Sequence, residues 1–378
     1  MTFDVSEEAL DGERLAAADP GGMLLAIASG AAQVREGVTR AAAVDMTDVV
    51  ASGRPRALVV AGMGGSAIAG DALVAVAGTA ARLPVVTLRS FDLPGWVGAA
   101  DLVVGVSSSG ATEETLAVVG EALRRGCRLA GVGAEDSPLE DAVLRGRGTF
   151  FPVSAAGRPP RASMWALTMP LLALARAAGA VEVSDADCEA AALRLAAISH
   201  ANRPASESFV NPAKTAAVQL AGSLPLIWAG SAVASVAAYR WQCQLAENAK
   251  YPAIAGTLPE AGHNQVVVFD GPFARRGPVD IFADPDESPA TTLRLVLLRD
   301  PAEHPGVAAR MDASRELAEL RGIPVVEVLA EGDSAIERLA SLVGYGDYVS
   351  AYLAIALGID PTPVDSIAAL KSRLVARL

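Results

Sequence analysis

Paired cysteine, histidine, lysine and net positive charge are all scarce in this chain. Its three cysteines, Cys127, Cys188 and Cys243, form no CxxC pair and are odd in number. That excludes a disulfide-stapled scaffold and makes a reducing cytoplasm the expected compartment. The 31 Lys and Arg are outnumbered by 43 Asp and Glu, for a formal net charge of -12. A nucleic-acid binder would carry a basic face, and so would a protein docked on anionic lipid; neither partner is expected. An anionic substrate remains open, because backbone N–H groups and hydroxyls can hold a phosphate without a basic patch. The three histidines, His200, His263 and His304, show no HxH or HxxxH spacing and do not make a zinc site. The N-terminal stretch MTFDVSEEALDGERLAAADP has neither the basic n-region nor the apolar core of a signal peptide.

Lysine is the most telling deficit. Of the 31 basic residues only three are lysines, Lys214, Lys250 and Lys371. Where arginine is so strongly preferred, a surviving lysine marks a position suited to a compact ammonium with a tunable pKa; chance survival is the competing reading for each one alone.

What is present is a large apolar fraction, 52% against 20% charged, over 378 residues, long for one domain and comfortable for two. The uncharged run Thr215–Tyr239 is 25 residues long, enough to span a bilayer. Pro225 within it, and its turn–strand–Gly–helix pattern, favour a buried strand and helix.

Residues 1–50 read as helical, with an apolar stripe through Leu10, Leu15, Met23, Leu24, Ile27 and Val34. Short apolar runs then recur at 57–61, 83–88, 100–107 and 127–134, with helix-like stretches between them. Strands alternating with helices imply a parallel sheet covered on both faces. The polar, amphipathic stretch 181–212 reads as a connection, after which the plan repeats with strands at 223–231, 292–300 and 323–331 and a helix over 306–321. ALVVAGMGGSAIAG and PLIWAGSAVASVAA share the order strand, glycine, small-residue helix. The expected architecture is therefore α/β: two doubly wound parallel-sheet domains in tandem, flavodoxin-like or Rossmann-like. The domains are set at 1–180 and 213–378, joined by a helical linker at 181–212, with N- and C-terminal helices packed on them. Gly271–Ala290, rich in Pro, Asp and Arg, reads as a loop; helices over 335–357 and 363–378 close the chain.

Two loops carry chemistry. Gly62-Met63-Gly64-Gly65-Ser66 follows a strand and opens a helix, so the N–H groups of Gly64, Gly65 and Ser66 suit an anion. The same residues satisfy the dinucleotide fingerprint GxGxxA, but the next strand leads into Arg89-Ser90 with no acid for a ribose, which leaves only an NADP site using Arg89 as the alternative. The second loop, Ser107-Ser108-Ser109-Gly110-Ala111-Thr112-Glu113, packs hydroxyls at 107, 109 and 112 where another helix begins. Capping accounts for one of them; the rest point to the oxygens of a phosphorylated small molecule.

GMGGSAIAGD and SxSGxTxET resemble the sugar isomerase (SIS) domain, and residues 20–378 resemble the bifunctional phosphoglucose/phosphomannose isomerases. The likeness continues through Pro160-Arg161-Ala162, the run from Gln244 to Lys250, the run from Pro259 to Asn264, Leu298-Arg299-Asp300 with Glu303-His304-Pro305, and the run from Ile367 to Lys371. The resemblance implies two SIS domains, a homodimer, and interconversion of glucose 6-phosphate or mannose 6-phosphate with fructose 6-phosphate, without metal or cofactor. By the same resemblance Ser66, Ser107, Ser109 and Thr112 hold the phosphate and Glu247 is the base. His263 opens the ring with Lys371 as its partner and comes from the neighbouring subunit, while Arg161 faces the enediolate. Those residue types suit the chemistry: one carboxylate can take and return the proton between C1 and C2, a histidine with a nearby ammonium can open the hemiacetal, and a permanent cation stabilises the enediolate. His200 and His304 read as structural, and the role of Lys250 is left open.

The chain also departs from the family pattern at Ser108, Ala111, Ala246, Ala261, Gly262 and Gln265. None of these removes a proposed catalytic group, but together they loosen the site's surroundings. An isomerase for another phosphosugar, or a sugar-phosphate-binding regulator without turnover, are the alternatives; a pure binder has no use for Glu247, His263 and Lys371 together.

Overall fold

The computed structural model describes residues 7–10, 12–154, 156–274 and 291–375. They form two compact units that are not contiguous in sequence. One holds residues 28–197 and 331–341; the other holds residues up to Ile27, then 198–330, and those from Leu342 onward. The chain is thus divided otherwise than by one linker between two continuous domains. The earliest residues cluster with the later sheet, and most of the stretch 181–212 is the helix Asp185–Ala201.

The first unit is built on five parallel strands, β1 (Leu58–Ala61), β2 (Val85–Leu88), β3 (Leu102–Ser107), β4 (Arg128–Gly133) and β5 (Thr149–Pro152), in the order β2-β1-β3-β4-β5. Leu58 registers with Val85 on one side and Leu102 on the other. Strands β1 and β3 are buried along their whole length, as continuous apolar runs require when helices cover both faces. The helices Gly65–Ala77, Glu113–Arg124 and Pro138–Arg145 make three of the crossovers. The expected helix between β2 and β3 is absent. That connection is a loop clamped by Arg125, whose guanidinium donates to the carbonyls of Leu93, Pro94 and Val97 at 3.0, 2.7 and 3.2 Å.

The second unit repeats the plan one strand shorter: β6 (Ser223–Ala229), β7 (Ile254–Thr257), β8 (Thr292–Arg299) and β9 (Val325–Leu329), all parallel, in the order β7-β6-β8-β9. The uncharged run Thr215–Tyr239 divides among the helix Pro212–Leu220, strand β6 and the helix Ala232–Ala249. Among the described residues one helix, Ala335–Ala356, is long and apolar enough to cross a bilayer, and 94% of its apolar window is buried in protein. The loop expected over Gly271–Ala290 lies outside the described residues from 275 to 290.

From Leu342 onward the helix Ala335–Ala356 runs beside Ala232–Ala249 on a ladder of polar contacts. Trp241 Nε1 donates to the Leu342 carbonyl at 2.9 Å, Arg240 grips the Asp347 carboxylate at 2.9 and 2.7 Å, and Asn248 Nδ2 donates to Ser350 Oγ at 2.9 Å. The contacts pass from Trp241 with Leu342 to Asn248 with Ser350, so the two helices run parallel and end on the same side. Lys214 shows what a scarce lysine does here. It is fully buried, its ammonium donates to the carbonyls of Pro204 and Ser206 at 3.0 and 2.7 Å, and it lies 5.7 Å from the Tyr352 ring centre. That is a position for a compact ammonium, filled for structural reasons.

Candidate active site

In a doubly wound sheet the ligand crevice lies beyond the carboxyl ends of the strands, where the strand order reverses. In the first unit that point falls between β1 and β3, and the two chemistry-bearing loops are the ones that leave those strands. They touch at their base: a Cβ on Gly62 would meet the Val106 carbonyl oxygen and the backbone of Ser66 and Ala67 at 3.1 Å, so any larger residue would push the loops apart by a few tenths of an ångström. Gly64 takes φ +53° at the N-cap of the helix Gly65–Ala77. The first turn of that helix, with the Ser66 hydroxyl, stands at the strand end, although the Ser66 N–H itself donates to the Met63 carbonyl at 3.1 Å.

The hydroxyl loop does not do what capping predicts. Thr112 is the N-cap residue of the helix Glu113–Arg124, yet its side chain makes no capping bond. Its Oγ1 lies 2.8 Å from Ser107 Oγ instead, and Ser109 Oγ lies 3.5 Å from the same atom. Gly110 sustains the turn at φ +65°, and a Cβ there would strike the Ser137 side chain at 2.2 Å. Three hydroxyls thus converge on one point above β3, as oxygens of a small anion would require.

Arg161 belongs to the same unit and the same edge. A Cβ on Gly65 would come within 3.9 Å of the Arg161 Cα, which sets the buried Arg161 directly against the glycine loop. Its short 3-10 turn, Pro160–Ala162, is held by Gln33, a residue the sequence did not single out. Gln33 is buried, donates from Nε2 to the Ala162 carbonyl at 2.8 Å and accepts from the Ala166 N–H at 3.3 Å.

The corresponding crevice of the second unit is closed by the protein's own carboxylates. Ser231 Oγ donates to Asp300 Oδ2 at 2.7 Å, and Glu303 Oε2 sits 2.2 Å from where a Cβ of Gly230 would stand. Glu303 is paired with Arg299 at 2.6 Å, and the buried Asp300 carboxylate fills the place above Ser231 that an anion would take. Among the described residues, the repeated sequence pattern therefore yields converging hydroxyls at this point in the first unit and not in the second.

Glu247, His263 and Lys371 all lie in the second unit, at different ends of it. Glu247 is half-buried near the end of the helix Ala232–Ala249, and Tyr251 just beyond it donates its hydroxyl to the carbonyls of Leu220 and Ser223, at the start of β6. The chain then runs back up through β7. Exposed His263 follows β7, and its near neighbour Gln265 accepts from Trp228 Nε1 at 2.8 Å, at the far end of β6. The five-residue length of β6 between these anchors spans about 16 Å. Lys371 is exposed on the helix Asp365–Val375, which begins five residues after Asp360, whose carbonyl accepts from Lys250 at the end of the Glu247 helix. The last helix is exposed along its described length, with Ile367, Leu370 and Leu374 forming an apolar stripe that is 43, 59 and 51% exposed.

Among the departures from the family pattern, Gln265 has a clear structural use. Its amide accepts from Trp228 and donates from Nε2 to the Ala255 carbonyl at 3.2 Å. A carboxylate can accept but not donate. Gln265→Glu is expected to leave that carbonyl facing an acceptor and to lower stability by about 1–3 kcal/mol, read as a lower denaturant midpoint with an unchanged slope. Ala261 is buried in the core cluster around Trp228 and Phe269, whereas Ser108 is half-buried and Ala111, Ala246 and Gly262 are exposed. Burial pushes the Cys188 thiol up to about 11 and raises that of Cys127, so neither is a ready nucleophile near neutrality.

Residues 209–374 match the family described as bacterial phospho-glucose isomerase C-terminal SIS domain. The bifunctional phosphoglucose/phosphomannose isomerase of Caldicellulosiruptor bescii is 32% identical over 317 residues, covering 84% of this chain and 89% of the relative. The protein of the same name from Aquifex aeolicus is 28% identical, covering 84% of this chain and 90% of its own. Among solved structures, a hypothetical protein from Thermus thermophilus superimposes with a TM-score of 0.68 at 17% identity, over 94% of this chain and 90% of that one.

Proposed function

The chain belongs to the bifunctional phosphoglucose/phosphomannose isomerase family, and from that premise we propose that it interconverts glucose 6-phosphate and mannose 6-phosphate with fructose 6-phosphate by ring opening and a cis-enediol proton transfer, without a metal. The observation that carries this reading is the first unit's crevice, where the hydroxyls of Ser107, Ser109 and Thr112 turn toward one another instead of capping their helix, beside the N-terminus opened by Gly64, Gly65 and Ser66.

The phosphate is held there by hydroxyls and N–H groups, which suits a protein of net charge -12. Binding energy at the phosphate, remote from the reacting carbons, fixes the sugar for chemistry at C1 and C2. His263 and Lys371 exchange protons with the ring oxygen and O1 to open the ring. The Glu247 carboxylate then removes the proton from C2 of the aldose and returns it to C1, while the proton on O1 and O2 is redistributed to leave the C2 ketone. Arg161, a permanent cation, faces the enediolate as it forms. Glucose and mannose 6-phosphates differ only at C2 and give the same enediol, so one site serves both.

The working form in this reading is a homodimer in the cytoplasm. In this reading His263 comes from a second copy, as in related isomerases; strand β7, which stands between Glu247 and His263 in one chain, supports it. The apolar stripe of Ile367, Leu370 and Leu374 on the helix that carries Lys371 supports such an association.

The test is fructose 6-phosphate formation from each aldose phosphate in the presence of EDTA. Turnover of both is expected. Turnover lost to EDTA and restored by a divalent cation would overturn the metal-free mechanism. Fructose 6-phosphate raising the melting temperature without any turnover would instead identify a sugar-phosphate-binding regulator.

A further inference from the structure

Lys250 stands immediately after the helix Ala232–Ala249 with φ 54° and ψ 34°, a left-handed conformation. Glycine or asparagine is the usual choice at such a helix end, because an L side chain is strained there. A lysine kept in that place is using its side chain. Its Nζ donates to the carbonyl of Glu247 at 3.0 Å, to that of Asn248 at 3.1 Å, and to that of Asp360 at 3.2 Å. The first two are carbonyls of the last helical turn, which have no N–H partner within the helix. The third lies in the segment between the helix Ala335–Ala356 and the helix Asp365–Val375, which carries Lys371.

We propose that Lys250 is a positioning residue: its ammonium ties the backbone of Glu247 itself to the Asp360 segment that precedes the helix of Lys371, fixing the base in place. The inference rests on the assignment of Glu247 as the base. An ammonium has three donors on one compact centre and can satisfy three carbonyls that converge from two segments. A guanidinium is planar and can reach only some of them, which accounts for a lysine surviving where the rest of the chain writes arginine. The positive charge also favours the helix C-terminus at which it sits. A carboxylate that must reach first C2 and then C1 tolerates little displacement, so a tie at its own carbonyl acts on the chemical step.

Lys250→Gly tests this, since glycine suits the left-handed backbone and only the ammonium is lost. The expected result is a kcat lower by about 10- to 100-fold, a KM for glucose 6-phosphate within about twofold of wild type, and no fall in melting temperature. Lys250→Arg, which keeps the charge and part of the donor set, is expected to recover part of the lost kcat. A folded Lys250→Gly protein with kcat within about threefold of wild type overturns the proposal. So does a loss that appears equally in KM and melting temperature and that arginine leaves unrelieved. Glu247→Gln, run in parallel, separates the two readings: if that variant keeps turnover, the base assignment fails, whereas a dead Glu247→Gln beside an active Lys250→Gly refutes only the positioning role.

Discussion

Glu247→Gln is expected to lower kcat by about 10²–10⁴-fold, the usual worth of a positioned general base, and to do so equally with glucose 6-phosphate and mannose 6-phosphate. Equality is the informative part. Both substrates pass through one enediol, so a group that moves the proton between C1 and C2 is lost to both alike, while a group that merely reads the configuration at C2 is lost to one. The variant should fold normally. The side of its helix that packs inward is set by Arg240, Gln244 and Asn248, which bond Asp347 and Ser350. Glu247 is half-buried, and its side chain has no part in that ladder. An amide of the same shape leaves the phosphate cradle untouched, so fructose 6-phosphate should still raise the melting temperature of the inactive variant. Full turnover in Glu247→Gln would mean that another group carries the proton.

The strands that the sequence reveals are those whose burial leaves no alternative. β1, β3 and β8 are apolar because helices cover both faces of the sheet, and their runs are read directly. β5 and β7 are four residues each, and the half-exposed Ile254–Thr257 at the sheet edge carries no such run. Missing β7 has a consequence for the site. Glu247 and His263 are sixteen residues apart, which reads as neighbourhood until a strand is placed between them. That strand carries the chain from one end of the sheet's strands to the other and parts the two residues.

The phosphate loops are legible because their chemistry is local: glycines, hydroxyls and a helix start within a few residues of a strand end. Even there, the choice of Thr112 between capping its helix and facing Ser107 is made by the turn at Gly110, whose carbonyl accepts from the Leu139 N–H. Gln33 and Lys250 escape the sequence for a different reason. Gln33 acts on Ala162, 129 residues away, and Lys250 on Asp360, 110 residues away. A bond made by tertiary folding leaves no spacing to recognise; only the scarcity of lysine hinted at the second.

Mixing two inactive variants is expected to restore activity. In the proposed dimer each active centre takes Glu247 and Lys371 from one chain and His263 from the other. Glu247→Gln and His263→Ala alone are each inactive at both centres. A hybrid of the two has one centre with both defects and one with neither. Random exchange of an equal mixture makes about half of the dimers hybrid, so about a quarter of wild-type activity should return. Recovery should grow with time of exchange and fall on dilution below the dimer's dissociation constant. The physical basis is the length of β6, which keeps the Glu247 end of the second unit about 16 Å from the His263 end and is not shortened by moving a side chain. No recovery, from two folded variants shown by mass to exchange subunits, would place both residues in a single chain's site. That outcome would require the loop bearing His263, from Pro259 to Asn264, to leave the edge where Gln265 now holds it against Trp228.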